Sequence, residues 1–384
     1  MTRVPLVTVI TPSFNQGRFI EQTIKSVLSQ DYPNVEYLVV DGGSTDETLG
    51  VLKSYEGRLS WVSERDAGQT DAINKGLKKS RGEIVCWLNS DDTYEPGAIA
   101  KAVDYFNANP DVMLLYGEGN EIAEDGSFLH RFPATQRFDL WTLTYVHDYI
   151  LQPTTFFKKE VFDTIDYPKE ELHWCMDWDL WVRIGQNFEV GYIDQVLANS
   201  RIYSDTKTGS GGIKRFKEIA MVMRSHGKKR FPLGYFLYGV DSIETICKGK
   251  WPFLYNVISP FFFYARKILG GIQANYQGVY ADKWLGPKAS LMLAQGKCTK
   301  KIQFDIEVPS IENHLPLVAR VWINGKFTLE SFISTSGRSH IIIESNIISS
   351  NVFEIEFRFD KHFSPDNDPR RLSCLLHGIT YNSD

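Results

Sequence analysis

EIVCWLNSDDTYEP, residues 83–96, begins as an apolar strand and ends in an amide, a hydroxyl and two adjacent carboxylates. A strand that is apolar at every position, not every second one, is buried on both faces. Outward from it, LVTVI (6–10), EYLVV (36–40), LSWVS (59–63) and VMLLY (112–116) repeat that character. Helical patterns separate them: residues 18–30 carry Phe19, Ile20, Ile24, Val27 and Leu28 at helical spacing, and residues 69–80 and 96–107 follow, the last with Pro96 suited to a first turn. Such alternation predicts an α/β, Rossmann-like domain whose mostly parallel sheet is flanked by helices. In these sheets ligands bind beyond the carboxyl ends of the strands.

That rule gives the polar residues a meaning. The second strand ends at Asp41 and runs into GGSTDET, the third ends in Ser63-Glu64-Arg65-Asp66, and the fourth ends in the acidic turn quoted above. One aspartate at a strand end is usually a helix cap. Acidic clusters at three such ends point to a ligand rim. Gly42 and Gly43 let the backbone approach a ligand, while Ser44 or Thr45 is expected to cap the next helix with Asp46 and Glu47 in its first turn. Neither a G-x-G-x-x-G after the first strand nor a Walker lysine motif is present.

Length and charge narrow the class. At 384 residues the chain suggests two or three domains, and a net charge of -5 with pI near 6.0 argues against a sequence-independent nucleic-acid binder. The five cysteines have no paired spacing and no signal peptide precedes the first apolar segment, so a reducing, cytoplasmic location is expected. The longest apolar run, 253–265, is broken by Asn256, Ser259 and Pro260, short of the roughly 18 residues of a membrane span.

In the middle region, HWCMDWDLWVRIG (173–185) places Asp177 and Asp179 ahead of a helix with Leu180, Trp181 and Ile184 on its core face. An aspartate there is most often a cap. LANSRIYSDTKTGSGG (197–212) puts Arg201 and Lys207 in a Ser/Thr/Gly-rich loop, the type of segment that closes over phosphates. Residues 213–277 read as helical, basic and aromatic, with GKKRF (227–231) and WPFLYNVISPFFFYARK (251–267). Both a packing layer and a peripheral face at anionic lipid headgroups fit that composition. The last hundred or so residues alternate with period two, as in IQFDIEV (302–308), LVARVWI (317–323) and VFEIEFRF (352–359), and Asn324-Gly325 marks a hairpin turn. An antiparallel β-sandwich is expected.

Four ordered stretches carry a family resemblance: VTVITPSFNQGRFIEQTIKSVLSQDYPNVEYLVVDGGSTDET (7–48), ERDAGQTDAINKGLKKSRGEIVCWLNSDDTYEPGAI (64–99), QPTTFFKKEVF (152–162) and MDWDLWVRIG (176–185). Together they resemble the family-2 glycosyltransferases of GT-A fold, over about the first 210 residues. FSPDNDPRRLSCLLHGITY (363–381) resembles, less specifically, a β-sandwich appended to some such transferases. The resemblance implies sugar transfer from a nucleotide diphosphate donor, UDP-sugars first among them, to a hydroxyl of a lipid-linked or oligosaccharide acceptor, with inversion and with Mn²⁺ or Mg²⁺. Bacterial members commonly build O-antigen, capsule or exopolysaccharide in the cell envelope. It further implies a GT-A domain at 1–212, with a nucleotide-sugar half at about 1–117 and an acceptor half at about 118–212, a helical region at 213–277 and a β-sandwich at 278–384. A cytoplasmic enzyme, peripheral at the inner face of the cytoplasmic membrane, matches the basic aromatic region.

Residue by residue, the resemblance puts Thr11, Pro12, Ser13 and Phe14 around the nucleotide base, Asp41 on base or ribose, and Asp66 and Asp71 at the border of the nucleotide. The D-x-D motif falls on Asn89, Ser90 and Asp91, so its first acid is an amide, able to meet a ribose hydroxyl but without charge. Asp91, helped by Asp92, is left as the metal ligand. Met176-Asp177 occupies a motif that is commonly Glu-Asp, which makes Asp177 the implied catalytic base. Arg201 and Lys207 would clamp the diphosphate. Carboxylates that repel each other in an empty turn become useful beside a divalent cation and two phosphates. A metal-dependent phosphatase or nucleotidyltransferase would also set acids at strand ends, but the first strand ends in TPSFN, without a phosphatase's aspartate nucleophile, and no lysine-bearing Gly-rich loop follows it. An inactive sugar-binding protein on a transferase fold stays open because of Asn89. The donor sugar, acceptor, linkage and oligomeric state are not legible in the sequence.

Overall fold

The computed structural model describes residues 3–203, 212–227, 231–250, 255, 259, 261–262, 284–286, 288–294, 301–311, 314–323, 326–344, 352–363 and 372–382. The chain forms two compact units, one of Met1–Phe138 with His147–Lys228, the other of Asp139–Val146 with Lys229–Asp384.

In the first unit, β1 (Val7–Ser13), α1 (Gly17–Leu28), β2 (Val35–Asp41), α2 (Thr48–Ser54), β3 (Ser60–Ser63), α3 (Gln69–Lys79) and β4 (Ile84–Trp87) alternate as the sequence predicts. Then come β5 (Thr93–Tyr94), α4 (Ala98–Ala108), β6 (Val112–Ile122) and β7 (Phe128–Arg131). After α5 (Leu140–Tyr145), which belongs to the second unit, the first resumes with β8 (Phe156–Lys158), α6 (Met176–Asn187), β9 (Glu189–Arg201) and the helix Gly212–His226. The strands form one sheet in the order β3-β2-β1-β4-β8-β6-β9-β5, with β7 beside β6. β3, β2, β1 and β4 are mutually parallel, as are β6 and β9, but β8 runs antiparallel to both β4 and β6. The sheet is therefore mixed, parallel where the alternation is regular and reversed where β8 is inserted.

β1 sits centrally and every one of its residues is buried. On one face its Val7 and Val9 share a core with Ile20, Ile24 and Val27 of α1 and Ile99, Ala102 and Val103 of α4. Each buried aliphatic side chain there is worth about 1.5–3 kcal/mol. On the other face α3 lies so close that a Cβ on Gly76 would come within 2.5 Å of Ile10. α6 is anchored by Trp181, whose ring stacks on that of Trp87 at 5.3 Å with 13° between planes, Phe157 packing edge-on against both. This aromatic joint seats the start of α6 beside the end of β4.

Local details depart from the sequence reading. α4 starts at Ala98 after Gly97 at φ +76°, so Pro96 lies outside the helix. α6 starts at Met176, which puts Asp177 and Asp179 inside the first turn, and Cys175 at its cap makes no side-chain cap bond. Ser44 and Thr45 do not cap α2: Asp46 accepts from Thr48 N at 3.1 Å and, across the rim, from Gly17 N at 2.9 Å. Arg201 is the last residue of β9, not part of a loop.

In the second unit, β10 (Trp284–Leu285), β11 (Lys288–Ala294), β12 (Lys301–Val308), β13 (Leu317–Ile323), β14 (Lys326–Ile333), β15 (Gly337–Glu344), β16 (Val352–Phe359) and β17 (Cys374–Asn382) make two antiparallel sheets, β10-β17-β12-β15 and β11-β16-β13-β14. Their alternate residues share one core in which Phe304 and Phe357 meet edge-on at 5.0 Å. This is the expected sandwich. Asn324-Gly325 lies outside the described residues, though β13 and β14 pair on either side of it, Ile323 opposite Lys326. The helix Leu233–Lys250 bears out helical character in part of 213–277, but Lys228–Arg230 and most of 251–267 lie outside the described residues. Among those described, no helix is long and apolar enough to cross a membrane.

Candidate active site

The carboxyl ends of β1, β2 and β4 converge on one rim. Thr11 is fully buried beneath it, its hydroxyl 3.1 Å from Tyr37 Oη. At the rim, Ser13 is 5% exposed with no hydrogen-bond partner for Oγ among the described residues, while Phe14 is 59% exposed. Asn15 follows at φ +52°, a left-handed conformation that Asn tolerates. It is locked by Asn15 N donating to Ser44 Oγ at 2.7 Å and Thr45 N donating to Asn15 Oδ1 at 2.8 Å.

Asp41, fully buried, works from below: Oδ2 accepts from Gly43 N (3.1 Å), Ser44 N (2.9 Å) and Ser63 Oγ (2.6 Å), and Oδ1 accepts from Ser44 Oγ. Its carboxylate shapes the Gly42–Ser44 turn. Above it, Asp66 accepts from Gly68 N at 2.9 Å and presses on Gly42, where a Cβ would sit 2.7 Å from Asp66 Oδ2. Only glycine admits this approach. Asp71 faces away along α3; the Ala67 N–H, bonded at 2.9 Å, and then Lys75 hold its carboxyl below the usual range.

The acidic turn after β4 divides its labour. Asn89 Oδ1 accepts from Gln69 Nε2 at 2.7 Å, and its Nδ2 donates to Asp92 Oδ2 (3.1 Å) and Gln152 Oε1 (3.0 Å). Asp92 is 3% exposed, with Oδ1 accepting from Arg201 N at 2.9 Å. Burial, and then the neighbouring Asp91 charge, push its carboxyl well above the ordinary value. Asp92 lines the cleft while its two carboxylate oxygens accept from the Arg201 N–H and the Asn89 amide. Asp91 lines the cleft beside it, with Oδ2 accepting from Tyr203 Oη at 2.9 Å. Burial raises its carboxyl too, opposed by that phenol and by Arg201 and Arg18.

Arg201 lines the cleft from the end of β9. Its guanidinium donates to Asp91 O (2.8 Å), Ala123 O (3.2 Å), Glu124 O (2.9 Å) and Gln22 Oε1 (2.8 Å), and the residue is 3% exposed. A side chain bonded to these acceptors braces the acidic turn. Lys207 lies outside the described residues.

The opposite wall is the start of α6. Asp177 lies in its first turn, where the helix dipole favours a charged carboxylate. Burial, and then the neighbouring Asp177 charge, push the Asp148 carboxyl well above the ordinary value. Asp179, 1% exposed, meets Lys169 (2.9 Å), His226 (2.7 Å) and Arg183 (2.7 Å); burial opposes its charge, but these partners prevail and hold it far below the usual range. It fastens α6 and is not a reactive group. Glu218 accepts from His173 N at 3.0 Å and Trp174 N at 2.7 Å, fixing the strap that leads into α6.

A cleft of about 860 Å³ joins these walls, within the size of small-molecule sites. Its lining brings together Pro12, Ser13, Phe14, Asp66, Asn89, Ser90, Asp91, Asp92, Asp177 and Arg201. Thr11, Asp41 and Asp71 are not part of it. Residues 8–165, which supply its β1, β2 and β4 rims, match the family model for Glycosyl transferase family 2. That match places a glycosyltransferase family 2 domain in residues 8–165 of the chain. An uncharacterized glycosyltransferase of Rickettsia typhi is 28% identical over 235 residues, 59% of this chain and 73% of that protein. The chondroitin synthase of Escherichia coli is 23% identical over 211 residues, 53% of this chain and 30% of that one. Among solved structures, S. aureus TarS 1-349 in complex with UDP-GlcNAc is 17% identical with a TM-score of 0.48, covering 72% of this chain and 84% of that one.

The glycosyltransferase cleft also holds residues that the sequence reading passed over. Gln69, Gln152, His173, Trp174 and Tyr203 line it. Gln152 begins the QPTTFF stretch and Tyr203 follows Arg201, so both lay within view, but Asp148 has no local pattern to mark it. Among the described residues no group of three or more His, Cys, Asp or Glu is arranged to hold a metal. The donor set nevertheless fits a Mg²⁺-type ion, which commonly takes one or two carboxylates and completes its shell with substrate phosphates and water. Asp91 and Asp92 are the carboxylates of the acidic turn that line the cleft.

Proposed function

We propose that this domain transfers a sugar from a nucleotide diphosphate donor, a UDP-sugar by preference, to a hydroxyl of a lipid-linked or oligosaccharide acceptor with inversion. The observation that carries the reading is a single cleft lined by Asp91 on the acidic turn and by Asp177 on α6. The unpartnered Ser13 Oγ and the exposed Phe14 ring at the same cleft suit a polar, planar nucleotide.

In the proposed reaction Asp177 accepts the proton of the acceptor hydroxyl. The acceptor oxygen then bonds to the anomeric carbon as the bond from that carbon to the diphosphate oxygen breaks, and the nucleoside diphosphate leaves. General-base assistance of this kind is worth about 10² to 10⁴ in rate. Bound Mn²⁺ or Mg²⁺ would supply neutralisation of the leaving diphosphate, held by Asp91. Asn89 adds no charge here; its amide ties Gln69, Gln152 and Asp92 together and keeps the turn in shape. Assembly of a cell-envelope polysaccharide, by an enzyme peripheral to the cytoplasmic membrane, is the setting we infer from the resemblance.

The test is incubation of the full chain with UDP-, GDP- and dTDP-sugars and Mn²⁺, without and with candidate acceptors. Release of the nucleoside diphosphate, accelerated by an acceptor, supports the reading. Orthophosphate as the product, or no turnover with any donor, contradicts it.

A further inference from the structure

We propose that Tyr203 is a positioning residue for Asp91, holding that carboxylate in the orientation in which it takes up a divalent cation with the donor diphosphate. The inference rests on the reading of Asp91 as metal ligand. It concerns a residue outside the acidic turn, at the end of β9.

The Tyr203 hydroxyl donates to Asp91 Oδ2 at 2.9 Å. A bond from a freely rotating phenol would position nothing, but this ring is fixed. It tilts against Phe19 at a centroid distance of 5.0 Å, and the Arg18 guanidinium lies 4.7 Å from its centroid and 4.4 Å from that of Phe19. Phe19 is 3% exposed in α1 and has the Arg201 guanidinium 4.8 Å from its own ring centroid. The phenol oxygen is thus referenced to α1, a rigid element of the sheet's cover.

Arg201 Nε meanwhile donates to the main-chain oxygen of Asp91 at 2.8 Å. The end of β9 therefore holds Asp91 at both its backbone and its side chain. Partners of metal-binding carboxylates typically cost 10- to 100-fold in metal affinity or activity when removed. Tyr203→Phe would keep the ring and its stacking while removing the phenol oxygen and its bonds to Asp91 and Gln16, leaving Asp91 free to adopt other rotamers.

The experiment uses the full-length protein as wild type, Tyr203→Phe and Asp91→Ala, with whichever of UDP, GDP or dTDP binds the wild type most tightly. Calorimetry gives nucleotide affinity without metal, and the electron-spin signal of free Mn²⁺ gives metal affinity at saturating nucleotide. For Tyr203→Phe we expect Mn²⁺ affinity to fall about 10-fold or more, with metal-free nucleotide affinity and melting temperature close to wild type. Asp91→Ala should lose the Mn²⁺ site. If Asp91→Ala loses the site and Tyr203→Phe keeps wild-type affinity, the positioning role is overturned while the reading of Asp91 stands. If Asp91→Ala keeps wild-type Mn²⁺ affinity, the reading of Asp91 fails and the inference goes with it.

Discussion

Gly42→Ala probes a contact on which the rim of the cleft is built. Gly42 does not have a positive φ, so the backbone accepts a side chain, and the whole cost comes from the neighbour. The added Cβ would lie 2.7 Å from Asp66 Oδ2, 3.0 Å from its Cγ and 3.1 Å from Oδ1, so the entire carboxylate must retreat. Retreat breaks the 2.9 Å bond that Asp66 accepts from Gly68 N. A hydrogen bond to a charged group is worth about 1.5–3 kcal/mol, and because Asp66 is half-buried water recovers part of it, leaving about 1–2 kcal/mol. If the same carboxylate borders the nucleotide, a comparable loss in binding corresponds to about tenfold in affinity. Urea denaturation and calorimetry with UDP, GDP or dTDP measure the two quantities separately. The double variant Gly42→Ala/Asp66→Ala has no carboxylate to displace, so its stability loss should be clearly less than the sum of the single losses. Wild-type stability in Gly42→Ala, or additivity in the double variant, refutes the argument.

Three further outcomes follow from the site. Asp177→Asn should leave nucleotide affinity unchanged and lower transfer by about 10² or more, since it removes a base and not a donor contact; loss of nucleotide binding would show a different role. Arg201→Lys should destabilise the fold by about 2 kcal/mol or more, because an ammonium cannot reach the carbonyls of Asp91, Ala123 and Glu124 together with Gln22; a melting temperature equal to wild type would contradict the bracing role. Asp148 has a folded-state pKa raised by burial and by Asp177, so its favourable contribution is complete below the unfolded carboxyl value of about 3.9 and is lost as pH rises through the raised one. Asp148→Asn should therefore gain stability relative to wild type between pH 5 and pH 8, measured by denaturation; a widening deficit over that range would reverse the sign.

The sheet was legible because its strands are defined by local composition: β1, β2 and β4 are apolar runs and end where polar residues begin. β8, three residues placed between β4 and β6, was not legible, since its antiparallel insertion depends on partners far along the chain. At the site, residue type could nominate Asp91 and Asp92 equally. The turn separates them by their partners, giving Asp91 the Tyr203 hydroxyl and Asp92 the Arg201 N–H more than a hundred residues later. The bracing by Arg201 was hidden for the same reason: its acceptors include the carbonyls of Ala123 and Glu124, and main-chain oxygens leave no trace in a sequence. Asp179 and Asp177 look alike on α6, but Lys169, Arg183 and His226 gather only on Asp179.

The most direct test is a crystal structure of the protein with Mn²⁺ and the best-binding nucleoside diphosphate. The account predicts the metal bonded to Asp91 and to diphosphate oxygens, with the base near Phe14 and Ser13 and with Asp177 facing the vacant sugar position. A metal and nucleotide bound away from Asp91, or a diphosphate seated with Asp177 as its metal ligand, would contradict it.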